Sequence, residues 1–323
     1  MNITTGALLQ ALNLGLIWSI MGIGVFITFR ILNFADLTAE GSFVLGMAVV
    51  APLIISGVNP LLATLIAVLA GAVAGLVTGF LHTVLKIPPL LSGILTMTGM
   101  FSINLRIMGR PNIALVGQTT LMNQVANLFN IPVNWVTGIF GHTETINIAP
   151  RDASIVMGLV FVVLIIFLLK LFFNTEIGYG IRATGDNEPM VKAQGINTNV
   201  MKVFGLALGN ACVALSGALL AQALAVADVN VGVGSIVNGL AAVIIGEVIF
   251  RDKNSHRIFV AVVFGSVIFF GIRAFVLAIQ GMNADDFRLI TAIMVAIALS
   301  VPMFREKLNI NFKKSALGSK EGK

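Results

Sequence analysis

Charge is what this chain has least of. Lys, Arg, Asp and Glu make up 11% of 323 residues, against 57% apolar residues. A soluble domain carries roughly 25% charged and 45–50% apolar residues. A water-soluble fold of this length cannot hide so much apolar surface, which excludes that class. There is a single cysteine, Cys212, set in an apolar run. It can close no internal disulfide, so an oxidised, disulfide-framed secreted fold is excluded too. Histidine is as scarce: His82, His142 and His256 stand far apart with no His-Glu-x-x-His, so no zinc site is expected. A Walker A sequence is missing, and the only Gly-Lys pair is Gly322-Lys323. A P-loop needs that motif to cradle phosphates, so nucleotide hydrolysis is not expected of this chain. No serine stands in a recognisable nucleophile setting. Residues 1–6 hold no Lys or Arg, so no cleavable leader is expected and the first apolar stretch should stay as a span.

What is present is a series of long apolar runs. A bilayer core about 30 Å thick takes about 20 apolar residues as a helix. Candidate spans are residues 7–28, 41–56, 60–85, 90–108, 154–173, 202–224, 235–250, 258–279 and 289–304. The second and seventh are short for a full crossing. The half-polar stretch 31–40 leaves the count at about eight to ten. The expected fold is an all-α integral membrane bundle, residues 1–304, followed by a basic tail, 305–323.

The net charge of +6 lies beside apolar runs, which marks topology rather than nucleic-acid binding. Arg305, Lys307, Lys313, Lys314, Lys320 and Lys323 place the tail in the cytoplasm. Counting back puts 251–257, 174–199 and Lys86 inside, with 56–59, 109–153, 227–233 and 280–286 outside. The N-terminus then falls outside, unless 31–40 hides an extra crossing. In the long outer loop 109–153, Leu121, Val125, Leu128 and Phe129 recur at helical spacing, followed by Trp135. They predict a short interfacial helix, either sealing the bundle or serving as a ledge for an outer partner.

Small residues let helices approach closely in lipid. Gly71, Gly75 and Gly79 form overlapping GxxxG steps, and Gly205 and Gly209 form another. Contact within the subunit is the expected use, a seam with a second copy the rival. A faint repeat pairs Ala35-Asp36-Leu37 before Gly41-Ser42 with Ala227-Asp228-Val229 before Gly234-Ser235; inverted repeats with broken helices are common in transporters.

Ionisable groups at membrane depth usually face protein or water. Asn33, Asp36, Thr38 and Glu40 form the densest polar cluster. They would line a cavity if 31–41 is a broken helix, and are cytoplasmic loop otherwise. Asn104, Asn210, Asn238 and Arg273 complete the candidate translocation path, with interhelical hydrogen bonds as the rival role for the asparagines and an internal partner for Arg273. Arg106 is expected to snorkel to the outer interface near Arg110. Glu247 is expected to pair with Arg251, one helical turn away.

The segment 174–199 reads as a capped helix of about eight residues. Asp186 or Asn187 would cap it, Pro189 suits its first turn, and Gly195 would end it in the left-handed conformation. A compact helix there can fit a groove in another protein. Residues 176–197, followed by 203–217, resemble the coupling region of ABC importer permeases of the branched-chain amino acid and ribose class. Residues 31–36 with Gly41 resemble that family's Asn-Phe-Ala motif, and 237–246 its late Ala-rich span, although Glu247 follows Gly246 where relatives often have a second glycine. The resemblance runs over about residues 14–304. Within the class, 28–38 and 93–109 look most like tryptophan/tyrosine-type uptake permeases.

The resemblance implies a permease that hydrolyses nothing itself. ATP and Mg would sit on cytoplasmic ABC ATPase subunits that receive Arg182, Ala183, Gly185, Asp186, Asn187, Glu188, Pro189, Ala193 and Gly195. An external solute-binding protein would deliver a small solute such as an amino acid. A second permease copy would complete the path in the plasma membrane of a prokaryote. The rival functions are an ion- or proton-coupled secondary carrier, which would need its own midplane cation site, and a membrane enzyme.

Overall fold

The computed structural model describes residues 5–128, 150–250 and 255–277, with isolated positions beyond. The elements, in chain order, are α1 (Thr5–Phe26), α2 (Thr38–Ile55), α3 (Pro60–Thr83), α4 (Pro89–Met108), β1 (Asn112–Ala114), α5 (Leu121–Leu128), α6 (Pro150–Phe173), α7 (Glu176–Asp186), α8 (Glu188–Ala193), α9 (Thr198–Leu224), β2 (Val226–Asp228), α10 (Ser235–Ile249) and α11 (Ser255–Leu277). Among the described residues, 7 helices are long and apolar enough to cross a membrane, and α10 is a shorter apolar helix. The expected span 289–304, the tail, Trp135 and Arg251 lie outside the described residues.

Lipid supplies no hydrophobic force between helices, so close packing and internal hydrogen bonds hold the bundle. Helix α9 is its axis, and Leu219, Ala218 and Ala214 on it are fully buried. The glycines of α3 all face it. A Cβ on Gly71 would meet the Ala214 Cβ at 2.3 Å, one on Gly75 the Leu206 carbonyl oxygen at 2.3 Å, and one on Gly79 the Val203 side chain at 2.9 Å. Gly209 lies against Thr28, and Gly205 against Leu32. These GxxxG steps therefore pack the subunit on itself. Gln222 fastens the far end of α9: its Nε2 donates to Thr64 Oγ1 at 2.9 Å, and its Oε1 accepts from the Leu121 backbone N–H at 3.0 Å.

The segment after α4, expected outside, contains the predicted short helix, α5. It also contains strand β1, which pairs antiparallel with β2, Ile113 opposite Ala227. This three-residue ribbon, invisible to apolar periodicity, ties the loop to the end of α9.

Helix α1 ends in a π-helical turn, Ile27–Ile31, that brings Ile31 against Gly185 of α7. Near its start, Asn13 accepts from Ser154 Oγ at 2.7 Å at the beginning of α6. Helices α1 and α6 thus run the same way, and residues 31–37 hide no extra crossing. Asn33 turns the chain at φ +52°, a conformation that asparagine tolerates better than most residues.

Helix α10, at 15 residues, is about 22 Å long, short of a bilayer core. Its first turn is buried, with Ser235 at 1% and Ile236 at 5% exposure. It therefore begins inside the bundle, as α2 does, and their starts meet: Glu40 accepts from the Gly234 N–H at 3.1 Å. The two members of the sequence repeat share a local device. Asp36 Oδ1 accepts from the Thr38 N–H at 2.9 Å, and Asp228 Oδ1 from the Asn230 N–H at 2.8 Å. Each aspartate turns the chain just ahead of a helix that starts within the protein.

Candidate functional site

Two regions hold the residues singled out in the sequence. The first is the α7–α8 end. Residues 176–186 form a helix of 11 residues and 188–193 one of 6, in place of a single helix of about eight. The division falls at Asn187. Its backbone is extended (φ −153°), and its side chain accepts from the Met190 N–H at 3.1 Å, so it closes α7 and caps α8. Asp186 ends α7 instead of capping. Pro189 occupies the first turn of α8, where its missing N–H costs nothing. Gly195 takes φ +82° just past the helix end.

The predicted coupling residues divide by position. Asp186, Asn187, Pro189 and Ala193 are exposed, as is Met190 at 56%. Arg182 turns inward, with its guanidinium 4.8 Å from the centre of the Phe173 ring. Ala183 is half-buried. Gly185 is pressed so closely on the π-turn that a Cβ would fall 1.9 Å from the Ile31 carbonyl oxygen. Glu188 faces the bundle. Lys202 Nζ on α9 donates to its Oε2 at 2.8 Å, Thr198 Oγ1 donates to its Oε1 at 3.2 Å, and Lys192 lies 2.9 Å away. Lys202 foremost, with Lys192 and Thr198 adding, outweighs partial burial and draws the Glu188 carboxyl down to about 2. Lys202 Nζ also lies 3.4 Å from His82 Nε2 on α3, and the His82 ring packs edge-on against Phe34 at 5.1 Å. A chain of contacts thus runs from α8 through α9 and α3 to the break before α2. Lys202 and His82 escaped the sequence reading because nothing local relates them to residue 188.

The second region is the interior. Asp36, Thr38 and Asn210 come together there. Asn210 Nδ2 donates to Asp36 Oδ2 at 2.7 Å, Ser42 Oγ donates to Asn210 Oδ1 at 2.6 Å, and the Thr38 and Thr78 hydroxyls share a hydrogen bond of 2.7 Å. Thr78 donates onward to Thr96 at 2.9 Å. All six side chains are buried. Their mutual hydrogen bonds join α2, α3, α4 and α9, which makes this cluster a lock between helices. Asn33, predicted to belong with it, is exposed on the turn instead.

The other predicted path residues line two cavities on either side of the 229–234 turn. One, of about 500 Å³, is bordered by Trp18, Asn230, Gly234, Asn238 and Arg273; Arg273 lies over the Phe270 ring at 5.4 Å. The other, of about 370 Å³, is bordered by Glu40, Val44, Phe101, Ser102, Asn104 and Val233. Asn104 Nδ2 donates to the Gly41 carbonyl at 3.2 Å. Glu247 forms an ion pair with Arg30, at the end of α1; the expected partner Arg251 lies outside the described residues. The sequence separation of 217 between Glu247 and Arg30 explains why helical spacing pointed elsewhere. Arg106 is exposed, near Arg110.

Among the described residues no group of His, Cys, Asp and Glu is arranged to hold a metal ion.

Comparison with known proteins fits this arrangement. The family described as "Branched-chain amino acid transport system / permease component" matches residues 7–299. The chain is 40% identical to the tyrosine transport system permease protein of Clostridioides difficile, over 95% of this chain and 94% of that one. It is 31% identical to an uncharacterized protein of Rickettsia prowazekii, over 91% and 96%. Likeness to the ribose import permease of Bacillus subtilis is 30% over 65% of this chain and 59% of that one. Among solved structures, PsaBC from Streptococcus pneumoniae in complex with Fab aligns at a TM-score of 0.49 and 15% identity, over 92% and 91% of the two chains. With the match running nearly end to end on a bundle of membrane-length helices, the chain belongs to the permease components of branched-chain amino acid transport systems and is a multi-pass membrane protein.

Proposed function

We propose that this permease is the membrane subunit of an ATP-driven importer for an amino acid of the tyrosine type. The observation that carries the reading is α8: a capped helix presenting Met190 and Pro189 outward while Glu188 holds it to α9. A partner that grips α8 moves α9, and α9 packs the helices lining both cavities. An ATPase engaging this end would supply the work; the chain's own sequence contains no P-loop. The side bearing α7 and α8 is then cytoplasmic, and so is the basic tail. An external binding protein would deliver solute to the opposite end, where α5 and the β1–β2 ribbon form the surface. A second copy of the permease would complete the path. The solute class is supported by the printed role of the 40% identical relative.

The test is Met190→Asp together with Pro189→Gly in cells that carry the full transporter. Uptake of labelled L-tyrosine should fall at least tenfold, with the variant still present in the membrane. In the purified complex, ATP hydrolysis should no longer respond to loaded binding protein. Unchanged uptake and unchanged stimulation of hydrolysis in the variant would count against the reading.

A further inference from the structure

We propose that the cavity of about 370 Å³ between α2, α4 and the 229–233 turn is a solute subsite for the protonated amine of an amine-bearing solute. Its place on the transport path rests on the function proposed above; its binding chemistry does not.

The wall of this cavity is made of acceptors and apolar surface. Asn104 is 1% exposed, its Nδ2 is committed to the Gly41 carbonyl, and its Oδ1 has no hydrogen-bond partner. A buried acceptor left unmade is costly, and native structures rarely keep one without a reason such as a ligand. Glu40 lies on the same wall and brings the only charge among the described residues lining it, a carboxylate, with Oε1 engaged by the Gly234 N–H and a further backbone hydrogen bond from Ile236. Thr98 Oγ1 donates to the Ile94 carbonyl at 2.8 Å, which leaves its lone pairs to accept. No Lys, Arg or His is among the described residues lining the cavity. An anion would meet the Glu40 charge with no cationic side chain among the described lining residues to offset it. A primary ammonium brings three donors and no acceptor, which matches this wall. Phe101, Val44, Met97 and Val233 provide the apolar surface for the body of such a molecule, and an aromatic ring such as that of Phe101 attracts a cation placed over its face.

A second feature agrees. Helix α4 is the least hydrophobic of the 7 candidate spans, and Thr98, Gly99, Ser102 and Arg106 are exposed on it among Leu91, Leu95, Phe101, Ile103 and Ile107. Polar groups at membrane depth usually face protein or water.

The experiment uses the full chain, purified into nanodiscs, and saturation-transfer NMR with two probes. Tyramine carries the amine; 3-(4-hydroxyphenyl)propionate has the same ring without it. Tyramine should show transfer and the propionate at least tenfold less. Glu40→Gln keeps an oxygen for the Gly234 N–H and removes the charge, so it should weaken tyramine binding at least tenfold with an unchanged unfolding profile. If that variant does not fold, Ser102→Trp, at an exposed position on the cavity rim, should abolish tyramine transfer on its own. Equal transfer from both probes, or tyramine binding within twofold of wild type in the variant that folds, overturns the subsite. A separate arm distinguishes it from the transport reading. Normal L-tyrosine uptake by cells lacking the chain would sink the proposed function and leave amine binding standing. Uptake that needs the chain but stays within twofold in Glu40→Gln would sink the subsite and leave the function standing.

Discussion

Individual residues here do one of two jobs, and substitution separates them. Gly75 is a packing residue: a Cβ on it would fall 2.7 Å from the Ala207 Cα, backbone that cannot step aside. Gly75→Leu should therefore push α3 off α9, at about 1–3 kcal/mol of overpacking strain. The expected result is a lowered unfolding temperature in detergent and a poorly inserted protein. Glu188 holds α8 to α9. Its folded carboxyl is drawn down to about 2 from the ordinary value of 4.5, chiefly by Lys202. For a depressed carboxyl the stabilisation is full above the unfolded value and fades as pH falls through the folded one. The window of loss is thus about pH 4.5 down to 2, and across pH 5–8 the contact should contribute a constant amount. Glu188→Gln should impair uptake equally at pH 5.5 and 7.5, so a defect confined to one end of that range would contradict this account. The sequence did not reveal the pair, because no local pattern relates residues 188 and 202.

Elements were legible in proportion to their apolar length. The runs at 60–85, 90–108 and 154–173 became α3, α4 and α6 with ends shifted by a few residues, since a bilayer-length helix needs only composition to declare itself. The segments 31–37 and 229–234 were less legible. Their shape depends on Asp36 and Asp228 catching backbone N–H groups and on Glu40 meeting a helix start 194 residues away. The faint repeat was the one signal of this in the sequence. Asn187 gave a half-correct answer: its capping role was readable, but α7 before it was hidden in a polar stretch whose buried face is carried by Gly178, Ile181 and Thr184. A cap of this kind is worth about 1 kcal/mol, a large part of the stability of a six-residue helix. Asn187→Ala should loosen α8 without unfolding the bundle. Amide exchange at Met190 and Val191 should accelerate several-fold while exchange in α9 stays unchanged.

At the scale of the whole molecule, both broken helices start within the bundle and meet at Glu40 and Gly234, and the two cavities flank that junction. Such an arrangement suits alternating access, because backbone freed from helix is tolerated at membrane depth only where protein or a cavity satisfies it. The whole reading also requires one particular sidedness. If α7 and α8 are cytoplasmic, then Lys86 shares their side, while Asn59 and Gly109 lie opposite. The chain is well suited to the measurement, since its single cysteine, Cys212, is buried and should not react. Cysteines placed one at a time at Asn59, Lys86, Gly109 and Asp186 can be challenged in intact cells with a membrane-impermeant maleimide. Asn59→Cys and Gly109→Cys should label from outside. Lys86→Cys and Asp186→Cys should label only after the cells are opened. Labelling of Asp186→Cys in intact cells would put the α8 helix on the wrong side for an ATPase, and coupling through Glu188 and Lys202 could then have no cytoplasmic engine to serve.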